Sequence, residues 1–269
     1  MSAKENPTHF AKVDQSVDPK YFIEFVDSRR TIEGEREIKE LILSLLELRP
    51  GAHVLDVGCG TGDDAREIAG IVGASGRVVG IDASETMIAE ARNRAAGCAL
   101  PLEFRVGDAC KIDFPDASFD GVRTDRVWMF VREIEHALAE AFRVLRHGGM
   151  LVTSEIDHET QFIDSPMPET SQKLFAEFHR ESPQPRLGRQ LLRLVTRAGF
   201  TKVRSIPKVG RSPYTMFRRI WDARLRSATE GGRLSQEEAT RWVERMAQAN
   251  AEGVFNHGVI VFTVYAQKP

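Results

Sequence analysis

Apolar positions along the 269-residue chain follow two rhythms that take turns. Short apolar runs at 53–57, 77–81, 102–106, 119–123, 149–155, 200–206 and 259–266 read as buried strands. Between them, apolar residues recur at helical spacing over 63–72, 84–96, 132–146 and 187–198. Strand and helix in regular alternation predict an α/β, doubly wound, seven-stranded and mostly parallel sheet, with ligand at the carboxyl ends of its strands. Residues 1–18 are polar and unpatterned, which predicts a mobile tail. Asp18-Pro19 then opens a helix carrying Tyr21, Phe22, Phe25 and Val26. A second helix over 32–48 sets Ile38, Leu41, Ile42, Leu45 and Leu46 on one face and stops at Arg49-Pro50-Gly51. After the fifth strand, Pro166, Pro168, Pro183 and Pro185 surround one amphipathic piece at 171–180, and further helices are expected at 214–228 and 235–251. The organisation expected is a tail with cap helices over 1–50, a core over 51–206 and 258–269, and a helical cap insertion over 207–257.

The run Val54-Leu55-Asp56-Val57-Gly58-Cys59-Gly60-Thr61-Gly62 ends an apolar strand in an acid and then breaks into alternating glycines. Glycine admits positive φ and lets a ligand approach without meeting a Cβ, so a nucleotide-like cofactor is expected across this turn. Dinucleotide-binding sheets also place a glycine turn after their first strand. Their third glycine falls three residues after the second, and this chain has Asp63 there. Asp63 and Asp64 at the helix start would repel a pyrophosphate from a terminus that otherwise attracts anions.

The stretch resembles the first motif of class I S-adenosylmethionine-dependent methyltransferases of the small-molecule type, and further motifs follow in order. Gly80-Ile81-Asp82-Ala83-Ser84 is similar to the family's second strand end, where the acid accepts hydrogen bonds from both ribose hydroxyls. Val106-Gly107-Asp108-Ala109 is similar to its third, with Asp108 at the adenine amino group and the Ala109 N–H donating. Phe114-Pro115-Asp116-Ala117-Ser118-Phe119-Asp120 and Arg143-Val144-Leu145-Arg146-His147-Gly148-Gly149 resemble the approaches to strands four and five, with His147 where the family commonly has proline. The resemblance covers roughly residues 50–155. It implies a Rossmann-like methyltransferase fold with an antiparallel seventh strand, S-adenosyl-L-methionine as cofactor, and a cradle of Asp56, Gly58, Gly60, Gly62, Asp82, Ala83, Met87, Gly107, Asp108, Ala109 and Arg123. Residues 108–120 resemble quinone-biosynthesis C-methyltransferases in particular. The run Phe-Gly-Leu-Arg-Asn that follows strand four in that group is replaced here by Thr124-Asp125-Arg126-Val127-Trp128, which points to the wider small-molecule group.

Composition narrows this further. Hydrophobic residues at 42% and charged residues at 28% suffice for a sizeable core under a solvated surface, and a formal net charge of −2 argues against nucleic acid as a dedicated partner. No apolar stretch approaches the ~18 residues of a membrane span, and the first residues lack an apolar signal core, so a cytoplasmic protein is expected. Cys59, Cys98 and Cys110 have neither disulfide-framework density nor metal-ligand spacing. Cys59 reads as a small residue filling a tight turn.

A sulfonium methyl is already activated, so the protein must align a nucleophile with the S–CH3 bond and exclude water. A phenol, enol or carbon acceptor would need a general base. Glu155, Asp157 and His158, just beyond strand five, are the candidates, with Glu155 and Asp157 on one face of the strand. Metal binding by these three is the lesser reading, and no metal is expected. Arg126 and Trp128 past strand four, with Tyr21 and Phe22 on the first helix, are candidate acceptor contacts through charge and stacking. Trp128 and the Tyr21-Phe22-Phe25 stripe read equally well as core, His136 reads as structural, and His257 lacks a visible partner. Three functions remain open: a methyltransferase, a protein of the same fold catalysing a non-methylating reaction, and an NAD-dependent oxidoreductase.

Overall fold

In a computed structural model that describes residues 9–269, the strand runs assemble around a central pair. β1 (His53–Val57) lies between β2 (Arg77–Asp82) and β4 (Phe119–Asp125), parallel to both. β3 (Leu102–Val106) extends the sheet beyond β2, and β5 (Leu145–Ile163) beyond β4. β7 (His257–Gln267) runs antiparallel between β5 and β6 (Thr201–Arg211), so the seven-stranded order is β3-β2-β1-β4-β5-β7-β6. The strand order reverses between β1 and β4, and a crevice opens at such a switch point, above the carboxyl ends of the strands.

Both faces of the sheet are covered because the crossover helices are amphipathic. α5 (Ile134–Val144) and α7 (Leu187–Arg197) bury Leu138, Ala141, Leu191 and Val195 against Leu55, Val79, Val122 and Leu151. On the other face, α2 (Glu33–Leu45), α3 (Asp63–Val72) and α4 (Glu85–Ala95) bury Ile38, Ile42, Ile68 and Ala91 against Val54, Val78 and Val152. A third apolar cluster joins α6 (Pro168–Glu181), α8 (Tyr214–Glu230) and α9 (Gln236–Ala251) through Leu174, Phe217, Trp221, Leu225, Trp242 and Met246. Among the described residues no helix is long and apolar enough to cross a membrane.

Several boundaries differ from the sequence pattern. β6 continues to Arg211, so the expected core limit at 206 falls inside a strand, and α6 packs with the helices of the 207–257 insertion. β5 continues to Ile163, because β7 extends far enough to pair with it as far as Ile163↔His257. Of the expected tail, residues 1–8 lie outside the described residues. Phe10–Gln15 form a 3-10 helix that buries Val13 beside Phe22 of α1 (Pro19–Arg30). Asp14 fixes this segment by accepting from Ser84 Oγ at 2.7 Å and from the Glu85 and Thr86 N–H groups at 2.8 and 3.1 Å, at the N-terminus of α4. A carboxylate on free N–H groups at a helix N-terminus is a favourable pairing.

The glycines after β1 divide into two kinds. A Cβ at Gly58 would meet the Val127 side chain at 2.2 Å, and one at Gly62 would meet the Phe104 ring at 2.4 Å, whereas a Cβ at Gly60 would meet nothing within 4 Å. Gly58 and Gly62 therefore permit packing within the chain, and Gly60 alone opens onto empty space. Gly62 precedes α3 with φ +74°. Its replacement by alanine combines left-handed strain of about 1–2 kcal/mol with overpacking against Phe104. Gly62→Ala is expected to cost about 2 kcal/mol or more, read as a lower urea midpoint at unchanged slope; an unchanged midpoint contradicts the packing described.

Candidate active site

A cavity of about 660 Å³ lies over the carboxyl ends of the strands, within the size range of small-molecule sites. One side is formed by Gly58, Gly60, Ile81, Asp82, Ala83, Gly107, Asp108 and Ala109 from the ends of β1, β2 and β3, with Met87 of α4. Asp82 is oriented by the Gly60 N–H, donating to Oδ2 at 2.9 Å, and the Ser84 N–H, donating to Oδ1 at 3.0 Å. Burial raises its pKa, which these bonds oppose. A carboxylate offers about four lone-pair sites, so capacity for further donors remains. Asp108 accepts from the Cys110 N–H at 2.8 Å, which points its carboxylate back over the β3 end.

The middle of the cavity is a wall of paired charges. Arg123 of β4 donates to Asp56 of β1 at 2.7 Å and to Asp64 of α3 at 2.5 Å, and approaches Asp125 at 3.4 Å. Lys39 also pairs with Asp64, and Arg29 with Glu35 at 2.6 Å. Burial pushes Asp56 up to about 6 against the pull of Arg123. Burial also opposes the charge of Asp64, but Arg123 and Lys39 together hold that carboxyl well below the usual range. Arg126 has φ +59°, uncommon for a residue with a side chain, and is held there as its N–H donates to the Ser154 carbonyl at 2.7 Å. Its guanidinium faces the cavity beside Glu35, 2.7 Å away.

The far side is apolar. Ile156 and His158 of β5, Val259 and Val261 of β7, and Met216, Ile220 and Trp221 of α8 line it, with His257 at the start of β7. The N-terminal segment closes the top with Phe10, Val13, Phe25 and Val26, and the Phe10 ring lies 5.7 Å from Phe130.

Several expected site residues lie elsewhere. Along β5 the side chains alternate, and Ile156 and His158 take the cavity face, which turns Glu155 and Asp157 to the opposite one. Asp157 is fully buried there and holds Arg189 through Nε and Nη2. Glu155 is also fully buried, its Oε1 accepting from the Val127 and Trp128 N–H groups at 2.9 and 2.7 Å. Neither carboxylate lines the cavity: Glu155 positions the turn after β4, and Asp157 positions the start of α7 through Arg189. No three His, Cys, Asp or Glu side chains among the described residues gather as metal ligands. Trp128 is swept by a short 3-10 turn into the core under α5, while its neighbours Met129 and Phe130 line the cavity.

On α1 the cavity face carries Phe25, Val26, Arg29 and Arg30. Phe22 packs under Val13 and Met87, and Tyr21 lies under Arg219 of α8, 5.2 Å from the guanidinium. Asp56 and Gly62 are beneath the cavity and do not line it. Arg123 lines it with a guanidinium already committed to carboxylates. Sequence patterning missed Phe10, Arg30, Glu35, Lys39 and Asp125. Glu35 and Lys39 stand four apart on α2, so they share one helix face, and that was the available signal.

Comparison with known proteins adds a family to this geometry. A family model described as a methyltransferase domain matches residues 48–208. An uncharacterised 37.1 kDa protein in a transposon of Streptomyces fradiae is 36% identical over 250 residues, which cover 91% of this chain and 71% of that protein. The demethylmenaquinone methyltransferase of Symbiobacterium thermophilum is 39% identical over 109 residues, covering 40% of this chain and 43% of the enzyme, so the likeness spans less than half of each. In three dimensions the chain is similar to a putative methyltransferase from Bacillus halodurans, with a TM-score of 0.60 at 20% identity, over 86% of this chain and 98% of that one.

Burial raises Glu155 to about 8, against the pull of the Trp128 and Val127 N–H groups. An unfolded glutamate releases its proton near pH ~4.3. Between these limits the folded chain binds the extra proton, so the contribution of this group to stability falls as pH rises through the window. Glu155→Gln keeps the acceptor and removes the titration. Thermal unfolding should show the variant gaining on the wild type between pH 5 and pH 8.5 by about 1 kcal/mol or more; parallel curves would mean that Glu155 does not hold a proton in the fold.

Proposed function

Because the chain belongs to the methyltransferase-domain family, we propose that it transfers the methyl group of S-adenosylmethionine to a small-molecule acceptor enclosed in the same cavity. The observation that carries this reading is the gathering of Gly60, Asp82 and Asp108 from three separate strand ends around one space. The residues fit the cofactor's chemistry. Gly60 leaves open the volume that a Cβ would fill, the Asp82 and Asp108 carboxylates line the space and can accept from hydroxyl and amino groups, and Ile81, Ala83 and Met87 offer apolar surface to a purine. Asp82 would hold the ribose hydroxyls, and Asp108 with the Ala109 N–H the adenine edge. Gly58 and Gly107 also line the space, making room for Val127 and Ile81 respectively.

For the amino-acid end, two cavity-lining cations have capacity left: Arg126, whose guanidinium nitrogens make no hydrogen bond among the described residues, and Arg30. The Arg30 side chain is 37% exposed and its pairs to Asp63 and Asp64 are long, at 3.4 and 3.5 Å. Arg123, with its carboxylates already in place, supports this wall from below.

The cofactor when bound supplies an electrophilic methyl, so the chain's own work is orientation and exclusion of water. Phe10, Phe25 and Phe130 close the opening, and Asp14 fastens the closing segment to α4 beside Asp82. Arg126 faces the acceptor side from the turn after β4. The acceptor would lie toward β5 and β7, under α8. We assign a cytoplasmic setting and a small-molecule acceptor to the same proposal. Free Cys59, Cys98 and Cys110 fit a reducing compartment, and the near-neutral charge fits a substrate other than nucleic acid.

Calorimetry with S-adenosylmethionine, S-adenosylhomocysteine and NAD tests the cofactor directly. Both adenosyl compounds are expected to bind and NAD is not. Asp82→Ala should weaken both at least tenfold, the loss of hydrogen bonds to a charged group worth about 1.5–3 kcal/mol. Gly60→Val should abolish binding yet still fold: its side chain enters the cavity and meets no protein atom at the Cβ, which leaves only the left-handed strain at φ +53°, about 1–2 kcal/mol. Unchanged affinity in a folded Asp82→Ala protein would remove the ribose assignment, and NAD binding would favour an oxidoreductase.

A further inference from the structure

His257 begins β7 where the polar wall has given way to apolar surface. It is 5% exposed, it lines the cavity, and neither ring nitrogen has a hydrogen-bond partner among the described residues. Its ring is held by aromatic contacts, 5.0 Å from Phe217 and 6.1 Å from Trp221 on α8. Burial lowers its pKa to about 4, so the imidazole is neutral at physiological pH and carries one N–H donor and one bare nitrogen acceptor.

Leaving such groups unpaired is costly, and a phenylalanine would fill a similar volume without that cost. Pairing from outside the chain accounts for the imidazole. The surroundings restrict what can supply it. Ile156, Val259 and Val261 on the strands and Met216 and Ile220 on α8 form most of the nearby walls, Gln161 and Ser212 add uncharged polar groups, and the charged Arg211 is exposed at the rim. An ionised group carried to this depth would lose its hydration without a counter-charge at His257.

We propose that this lobe receives the methyl acceptor as a neutral, mostly apolar molecule bearing a hydroxyl group, and that the His257 ring takes that hydroxyl as its hydrogen-bond partner. The proposal rests on the reading of the cavity as a methyltransferase site, and it adds the acceptor's chemical class and the residue that recognises it. His257 acts as a recognition group: it fixes the polar end of an otherwise featureless molecule and so sets which face is turned toward the cofactor half. His158, also on the cavity surface, is likewise held neutral, burial and the charge of Arg224 lowering it to about 3; Arg224 itself is fully buried on α8 and does not line the cavity.

The test uses the full chain and three probes of one shape: 2-naphthol, naphthalene and 2-naphthoate. Binding is measured by fluorescence with and without saturating S-adenosylhomocysteine, whose own affinity is determined separately. The wild type is expected to bind 2-naphthol at least tenfold more tightly than either of the others. Titration with 2-naphthol should also shift the 15N resonances of the His257 ring. His257→Phe, which keeps a ring against Phe217 and Trp221, should bring 2-naphthol and naphthalene to within about twofold of each other, with the affinity for S-adenosylhomocysteine unchanged. Equal binding of 2-naphthol and naphthalene by the wild type, no binding of 2-naphthol, or a preference that survives in His257→Phe would each overturn the proposal. Should that variant fail to fold, the wild-type 15N shift decides: movement on 2-naphthol addition supports the contact, and no movement overturns it. Failure of S-adenosylhomocysteine to bind would strike the methyltransferase reading itself, and the probe preference would still report on the lobe.

Discussion

Arg123 is the point on which the site's construction depends. Its guanidinium, almost completely buried, reaches Asp56 on β1, Asp64 on α3 and Asp125 at the end of its own strand. Removing one partner from such a group leaves charges uncompensated in a dry setting, at about 3–5 kcal/mol. The cluster therefore ties together the two strands between which the crevice opens and the helix that follows the glycine turn. It also extends outward: Lys39 pairs with Asp64, and Arg126 and Arg29 meet at Glu35. The N-terminal helices are thus fastened over the sheet by charge as well as by apolar contact. Replacing such a cluster by apolar residues of the same shape is often neutral for stability, so the arrangement makes physical sense as a device that fixes geometry at a polar cavity wall.

Around this wall the cavity is polarised. Carboxylates and glycine backbone occupy the β1–β3 end, and aliphatic and aromatic side chains occupy the β5–β7 end. A polar, donor-rich cofactor and an apolar acceptor would sort themselves by that difference alone. The closing segment is held lightly by comparison. Asp14 is an exposed contact at a helix end, and Arg219 joins α8 to α1 by lying over Tyr21 and Phe25, 5.2 and 5.6 Å from the rings. The 10–15 segment, which buries only Val13 and is otherwise held by a few exposed bonds, opens at lower cost than the sheet does, as entry of a buried ligand requires.

Much of this was legible in the chain. Strand runs separated by amphipathic helices give the sheet, and the acids that close those runs fall at its carboxyl edge, Asp82 as the last residue of β2 and Asp108 two residues past β3. Less legible was anything decided by direction or by partners distant in sequence. Glu155 and Asp157 share a face, as period two requires, but which face meets the cavity depends on how β7 and α7 pack. Gly58 and Gly62 look identical to Gly60 in sequence and differ only through Val127 and Phe104. Trp128 carries both a core and a site signature, and a single 3-10 turn chose the core. Phe10 sits in a polar stretch with no period at all, and its partners Phe22, Phe25 and Phe130 are scattered along the chain. His257 offered no local pattern, since its meaning comes from α8 folding back across the start of β7.

The central claim is that one cavity holds the adenosyl group at the β1–β3 end and leaves the β5–β7 end for the acceptor. A crystal structure with S-adenosylhomocysteine tests this most directly. Ribose hydroxyls are expected on Asp82, adenine beside Asp108 and Ala109, the sulfur turned toward Arg126, and the lobe at His257 left free. Adenosyl density in the His257 lobe, or outside the cavity altogether, would contradict it.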